Sequence, residues 1–323
     1  MLGDIDYTVI ELCDRNQQDR LTHIFKKTEK ELNYLQQLLE QHKISVHRPK
    51  KIKNNKVTTP LWNSNGVKIP LSPRDNFLIL GNTIVETSSW QKERAFEGYF
   101  WRDVFIKFFK NGARWYSMPM PGYNYDIADC MFDDDILNHD PMLDNAALIK
   151  YGKDIFVSGA GSHNQLGLDW LKIMFPEFRY HVLDKNIYKG HLDTHFTILR
   201  PGLLLTYHSR SDLPRFFKNW DIIHVNSDHD KTLRESQTLL DQKIQDDDFS
   251  NTVLAVNALS INQNTVMIYD HYKNNKYLIN QFNKYNIEVI FVTFTYSHFF
   301  NQGLTCITNE LIRDTNGCID YTS

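Results

Sequence analysis

The sequence predicts an α/β or α+β fold in a single compact domain over residues 1–323, and three observations carry that expectation. Apolar runs of strand length are mixed with stretches of helical period along the whole chain. A unit in the order strand, strand, helix, strand recurs loosely, as an order of elements rather than as repeated residues. No break in composition marks a second domain.

Residues 18–42 read as a helix, because Leu21, Ile24, Phe25, Leu32, Leu35 and Leu39 form one apolar stripe at spacings near three, four and seven. Ile44–Val46 reads as a short strand stopped by Pro49. Residues 47–72 read as a long connection. Its Arg48, Lys50, Lys51, Lys53 and Lys56 suit an anion-binding patch or a solvated loop, and the lack of interleaved aromatics favours the loop. Two apolar runs flank Gly81-Asn82, a hairpin signal. Residues 91–111 read as a helix closed by Gly112, and Ala113–Ser117 as the strand after it. The pattern continues with strand Asp154–Val157, helix Asn164–Phe175 and strand Tyr180–Leu183. Strands His191–Leu199 and Leu203–Tyr207 join at Arg200-Pro201-Gly202. Thr252–Leu259 and Thr265–Tyr269 read as strands, Tyr277–Tyr285 as a helix and Glu288–Thr293 as a strand.

Composition excludes several classes. With 41% hydrophobic and 13% aromatic residues in 323, the chain can bury a full core and is not disordered. Lys+Arg 36 against Asp+Glu 39 gives a net charge of -3, no basis for nucleic acid or an anionic membrane as main partner. Mean hydropathy is -0.46, and no apolar run is long enough to span a bilayer. The first residues carry neither a signal-peptide nor a transit-peptide pattern. Cys13, Cys130, Cys306 and Cys318 lie far apart with no CxxC pair, so a cytoplasmic location fits best.

The densest polar signal is His191-Leu192-Asp193-Thr194-His195-Phe196. On a strand, His191, Asp193 and His195 would share a face. Such a row suits a solvent-facing edge, acid/base work on a cation, or a metal. Gly303-Leu304-Thr305-Cys306 is the second signal: a cysteine in a turn of small residues, either an exposed nucleophile or a small buried side chain. Asp75, before an apolar strand, can start that strand or satisfy a turn, and Asp144, among apolar residues, needs a partner or caps a helix. His195 reads as a hydrogen-bonded core or rim histidine, and His224, Asp228, His229 and Asp230 as a surface turn.

Taken in order, these stretches resemble the glycine amidinotransferase family. The resemblance is carried by Pro73-Arg74-Asp75, Leu80–Glu86, Phe109–Trp115, Asp144–Ala147, Tyr151–Phe156, Asn164 with Leu166–Trp170, His191–Phe196, Pro201-Gly202, Arg210 and Gly303–Thr308. It covers about residues 30–313. It implies a pentein-like, five-bladed α/β propeller of pseudo-repeated ββαβ modules. It implies Cys306 as nucleophile, His191 as general acid/base and Asp144 as the acid that orients it. Asp75 and Asp193 would grip the guanidinium of arginine, and Arg210 would receive the α-carboxylate. The chain departs from the family at Thr305, usually His, at Ile307, usually aromatic, in a longer loop Lys185–Gly190 and in a shortened opening strand.

The implied reaction moves the amidino group of L-arginine to an amine through an amidino-cysteine, by ping-pong kinetics and with release of ornithine. Two carboxylates match a guanidinium, and a protonated histidine lowers a cysteine pKa. The alternative on the same scaffold is a guanidino-group hydrolase of the deiminase or dihydrolase type. A silent binding protein carries least weight, since all six residues the resemblance expects are present, and a metal enzyme on His191, Asp193 and His195 loses weight because the resemblance gives His191 and Asp193 other roles. The expected partners are small molecules and a second copy in a homodimer. No cofactor and no metal are expected. The acceptor is open, with Tyr188 and its loop the place to seek it.

Overall fold

The computed structural model describes residues 1–7, 10, 15–52, 56–64, 70–123, 140–225, 255–300 and 302–313. Cys13, Cys130, Cys318, Asp228, His229, Asp230 and the 252–254 part of the expected strand lie outside them. The chain divides into two compact units. One is formed by residues 1–6, 47–192 and 308–323, the other by residues 7–46 and 193–307.

The first unit holds two three-stranded sheets of one topology. In the first, β3 (Phe77–Leu80) and β4 (Thr83–Glu86) form an antiparallel hairpin, and β5 (Arg114–Ser117) returns parallel to β4 through helix α3 (Gly98–Lys110). In the second, β6 (Leu148–Tyr151) and β7 (Asp154–Val157) pair antiparallel, and β8 (Arg179–Val182) lies parallel to β7 after helix α4 (Gln165–Met174). A two-stranded ribbon, β1 (Val57–Thr58) with β2 (Asn63–Ser64), and the one-turn helix α2 (Pro73–Asn76) precede them. Gly81 and Gly152 open the two hairpin turns with φ of 55° and 57°, a region a side chain disfavours.

The second unit repeats the scheme. β9 (Phe196–Arg200), β10 (Leu203–Thr206) and β11 (Asp221–His224) form one sheet, with a 3-10 turn at Arg215–Phe217 in the crossover where the other sheets have a helix. β12 (Leu259–Asn262), β13 (Thr265–Tyr269) and β14 (Glu288–Val292) form the other, with helix α5 (Lys276–Lys284) between the last two. Helix α1 (Arg15–Gln41) belongs to this unit, and its expected stripe is buried at all six positions. The middle strands β7, β10 and β13 are buried at every residue, as expected of a strand covered on both faces. The recurring strand, strand, crossover, strand order is therefore present in four mixed sheets among the described residues.

Four local expectations change. Ile44–Val46 is not a strand, because Ile44 donates its N–H to Leu39 O in the cap that ends α1, with Lys43 at a φ of 62°. The helix expected from 91 starts at Gly98; Lys92–Arg94 is a 3-10 turn, and Arg94 and Glu97 turn inward. The strand expected from His191 starts at Phe196, because Leu192–Thr194 forms a 3-10 turn that buries Asp193. The strand expected over Thr252–Leu259 starts at Leu259; residues 255–258 are a turn that buries Asn257.

Candidate active site

In the first unit the site grows from α2. Pro73 presets the first turn, and Asp75 in it is buried. The Asn145 amide donates to Arg74 O at 2.7 Å and to Phe77 O at 3.0 Å, and Arg74 Nη2 donates to Leu148 O at 2.7 Å. These bonds stitch α2 to the segment that follows Asp144, so Asp75 and Asp144 come together from 69 residues apart in the chain. Asp144 fulfils both of its sequence readings. Its Oδ1 accepts from Ala146 N at 2.9 Å, capping the 3-10 turn Asn145–Ala147, and its Oδ2 lies 3.3 Å from His191 Nε2. Donor and acceptor atoms of Asp75, Asp144 and His191 lie within 4.8 Å of one another, a spacing that serves an organic cation or a metal ion.

Arg94 organises this cluster. Its Nη1 donates to Asp75 Oδ2 at 2.6 Å, Nε and Nη2 donate to Glu97 at 2.8 and 3.1 Å, and Nη2 also reaches Ser72 O. Asn76 Nδ2 donates to Glu97 Oε2 at 2.5 Å. One guanidinium thus answers three buried carboxylates, Asp75, Glu97 and Asp144, and His191 at the cluster's half-buried rim adds a positive charge when protonated. Burial pushes the Asp75 carboxyl up, against the pull of Arg94. Burial also presses on Asp144, but His191, Arg94 and the Ala146 N–H outweigh it and hold that carboxyl below the usual range. Asp75 Oδ1 is buried with no hydrogen-bond partner among the described residues.

The second unit carries a cluster of its own, a turn around a thiol. Gly303 to Ile307 closes on the Ile307 N–H to Gly303 O bond, and Leu304 N–H donates to the Tyr269 hydroxyl at 2.7 Å. Burial and the nearby Cys306 keep the Tyr269 phenol well above its ordinary pKa, so it stays neutral. Cys306 is 5% exposed; its Sγ donates to Asp193 Oδ2 at 3.4 Å and receives Asn257 Nδ2 at 3.5 Å. Asp193 Oδ2 also accepts from Thr305 Oγ1 at 2.7 Å, while its Oδ1 is buried with no hydrogen-bond partner among the described residues. A Cβ on Gly303 would stand 2.2 Å from Asn257 Oδ1, so the close approach of this amide requires glycine.

The face-sharing argument for His191, Asp193 and His195 does not hold, because a 3-10 turn replaces the strand. Each finds its own partners: His191 meets Asp144, and Asp193 meets Thr305 and Cys306. His195 is a buried hydrogen-bonded histidine, its Nδ1 2.9 Å from His208 Nε2 and 3.1 Å from the Tyr207 hydroxyl. Arg210 is exposed, and its Nη1 donates to Lys218 O and Trp220 O at 2.9 and 3.1 Å. Tyr188 is buried at 1% exposure. Sequence reasoning missed Arg94, Glu97 and Asn257. The first two carried a signal, opposite charges three apart beside an apolar run; the third was an amide inside an apolar run, a group that must find a partner when buried.

No protein-family model matches the chain. Curated relatives do. Inosamine-phosphate amidinotransferase 1 of Streptomyces griseus is 30% identical over 207 residues, 62% of this chain and 59% of the relative. The mitochondrial glycine amidinotransferase of Gallus gallus is 27% identical over 321 residues, 89% of this chain and 70% of the relative. The chain thus spans about six-tenths of the length of the first of these relatives. Among solved structures, an amidinotransferase of the saxitoxin biosynthetic pathway of Microseira wollei superposes with a TM-score of 0.73 at 23% identity, covering 90% of this chain and 84% of that one. DDAH of Pseudomonas aeruginosa superposes at 0.60 with 12% identity, covering 88% of each chain. The ordered motifs and the curated relatives agree: in sequence this chain is similar to amidinotransferases, and in fold to solved amidinotransferase structures.

Proposed function

We propose that this chain transfers the amidino group of L-arginine to an amine acceptor through an amidino-Cys306 intermediate, releasing ornithine. The observation that carries the reading is a pair of half-used carboxylates. Asp75 and Asp193 each have one oxygen held by a protein donor and the other buried without a hydrogen-bond partner. Leaving such an oxygen dry costs about 1–3 kcal/mol. A guanidinium brings N–H donors and one positive charge, which answers both the orphan oxygen and the excess of carboxylates around Arg94.

In this reading the Cys306 thiolate attacks the guanidinium carbon. The C–N bond to ornithine breaks, and the leaving amine takes a proton from His191. His191 then removes a proton from the acceptor amine, which attacks the same carbon and restores the thiolate. Asp144 fixes the imidazole ring, Asp75 and Asp193 hold the guanidinium, and Arg210 receives the α-carboxylate. The five-bladed propeller and the single catalytic domain implied by the family resemblance go with this reading.

The second reading, a guanidino-group hydrolase, is favoured by the hydrolase neighbours on the same fold, DDAH and an arginine dihydrolase. One experiment separates the two. Pure protein is incubated with L-arginine, with and without glycine, lysine and other amines. Transfer yields ornithine beyond one equivalent of enzyme only with an amine, parallel initial-rate lines, and an amidino adduct on the Cys306 peptide. Urea, citrulline or ammonia formed without an amine supports hydrolysis. Intersecting lines with no adduct would overturn the covalent route.

A further inference from the structure

The residue before Cys306 is tied to two buried side chains. Thr305 Oγ1 lies 2.7 Å from Asp193 Oδ2 and 2.7 Å from Asn257 Oδ1, and the Thr305 N–H donates to the same Asn257 oxygen at 2.8 Å. The backbone bond fixes which way the Asn257 amide points, with its Nδ2 toward Cys306 Sγ at 3.5 Å. Asn257 is 2% exposed and Asp193 3% exposed, while Thr305 is half-buried, so both acceptors depend on protein donors. A hydroxyl has one proton and faces two acceptors here, and an ionised carboxylate is the stronger acceptor. Thr305 therefore anchors one oxygen of Asp193. The anchored oxygen also faces the thiol, and the other is left buried without a hydrogen-bond partner.

We propose that Thr305, backed by Asn257, is a positioning residue that sets which oxygen of Asp193 is offered to a guanidinium, and so sets the affinity for the guanidino substrate. The inference rests on the guanidinium role given to Asp193 above. Thr305 touches neither the guanidinium nor the group being transferred. It acts through Asp193, whose side chain would otherwise turn freely about its terminal torsion.

The test compares Thr305→Val, which keeps the shape and loses the hydroxyl, with Thr305→Ser, which keeps the hydroxyl. Both are made in the full chain carrying Cys306→Ser, where a hydroxyl still faces Asp193 and the sulfur nucleophile is gone. Calorimetry then reads Kd for L-arginine and for agmatine, and the comparison does not depend on whether the amidino group moves. Thr305→Val is expected to raise Kd about tenfold, the loss of one charge-assisted bond. Arginine and agmatine should shift together, since the contact lies at the guanidinium end. Thr305→Ser is expected to stay within about threefold of the parent. If Thr305→Val does not fold, Thr305→Ala against Thr305→Ser gives the same comparison. An unchanged Kd, or equal loss in the serine and valine variants, overturns this inference alone. A parent that binds no arginine overturns it together with the reading it rests on.

Discussion

Asp75 and Asp193 are both buried, each with one oxygen unpaired, yet they are held by opposite means. Asp75 is fixed by a full charge, Arg94, itself shared with Glu97 in a cluster of ion pairs. Asp193 is fixed by neutral donors, a threonine hydroxyl and a thiol. An ionic anchor is strong and costly: burying its charges costs several kcal/mol each, and removing one partner strands the rest. A neutral anchor is weaker: its loss takes one hydrogen bond from Asp193 and strands no second charged group. The same carboxylate chemistry is thus tied to fold stability in one unit and set apart from it in the other.

The largest effect that tests this contrast is on stability. Arg94→Met should destabilise the protein by about 3–5 kcal/mol in denaturant unfolding, since Asp75 and Glu97 lose their buried cation. Adding Glu97→Gln to that variant should recover part of the loss; if it recovers none, the damage comes from packing and not from stranded charge. No Thr305 variant should approach the single-variant figure.

The next effect is on arginine use. Asp75→Asn and Asp193→Asn each place an amide N–H₂ where the unpaired oxygen stood and remove a negative charge. Each should lower kcat/KM for arginine by a factor corresponding to about 1.5–3 kcal/mol. A variant that keeps wild-type arginine kinetics would take its acid out of substrate contact.

The pH dependence should separate the two acids that share the first unit. The folded-state pKa of Asp75 is raised, so its contribution to stability is present at low pH and lost as pH rises through that value. The folded-state pKa of Asp144 is lowered, so its contribution is present above the ordinary carboxylate range and lost as pH falls through the folded value. On acidification, the stability difference between wild type and Asp75→Asn should move in favour of wild type, and the difference from Asp144→Asn should shrink. Unfolding curves from about pH 3 to 7 check both signs.

The smallest effect concerns Arg210. Its guanidinium is exposed and spent on two backbone carbonyls. Arg210→Ala should weaken arginine relative to agmatine by less than about tenfold, in keeping with the small worth of exposed charge contacts. Equal change for both ligands would remove Arg210 from the carboxylate contact.

How much of this was legible varies by residue. The α1 stripe, the Gly81 hairpin and the helix that starts near residue 164 follow from local rules and appear where the sequence puts them. Asp144 was legible as a cap and as a buried acid needing a partner, because a carboxylate in an apolar stretch has few other fates. The His191–Leu199 strand was misread because its alternating polar residues mimic a half-buried edge. The polar side chains there are instead drawn apart by separate buried partners. Arg94 was absorbed into a helix because i and i+3 charges fit a helix face as well as an inward 3-10 turn.

The sequence by itself determined the alternation of strands and helices, the crossover pattern, and which residue types had to be chemically occupied. Those depend on the period of apolar residues and on turn chemistry within a few positions. Only the tertiary structure decided which donor meets which acceptor. Asp193 and Thr305 stand 112 residues apart, and Asn145 reaches Arg74 across 71. No local pattern encodes such pairs. They form because a buried polar group is costly until some remote segment, brought in by the packing of apolar faces, satisfies it.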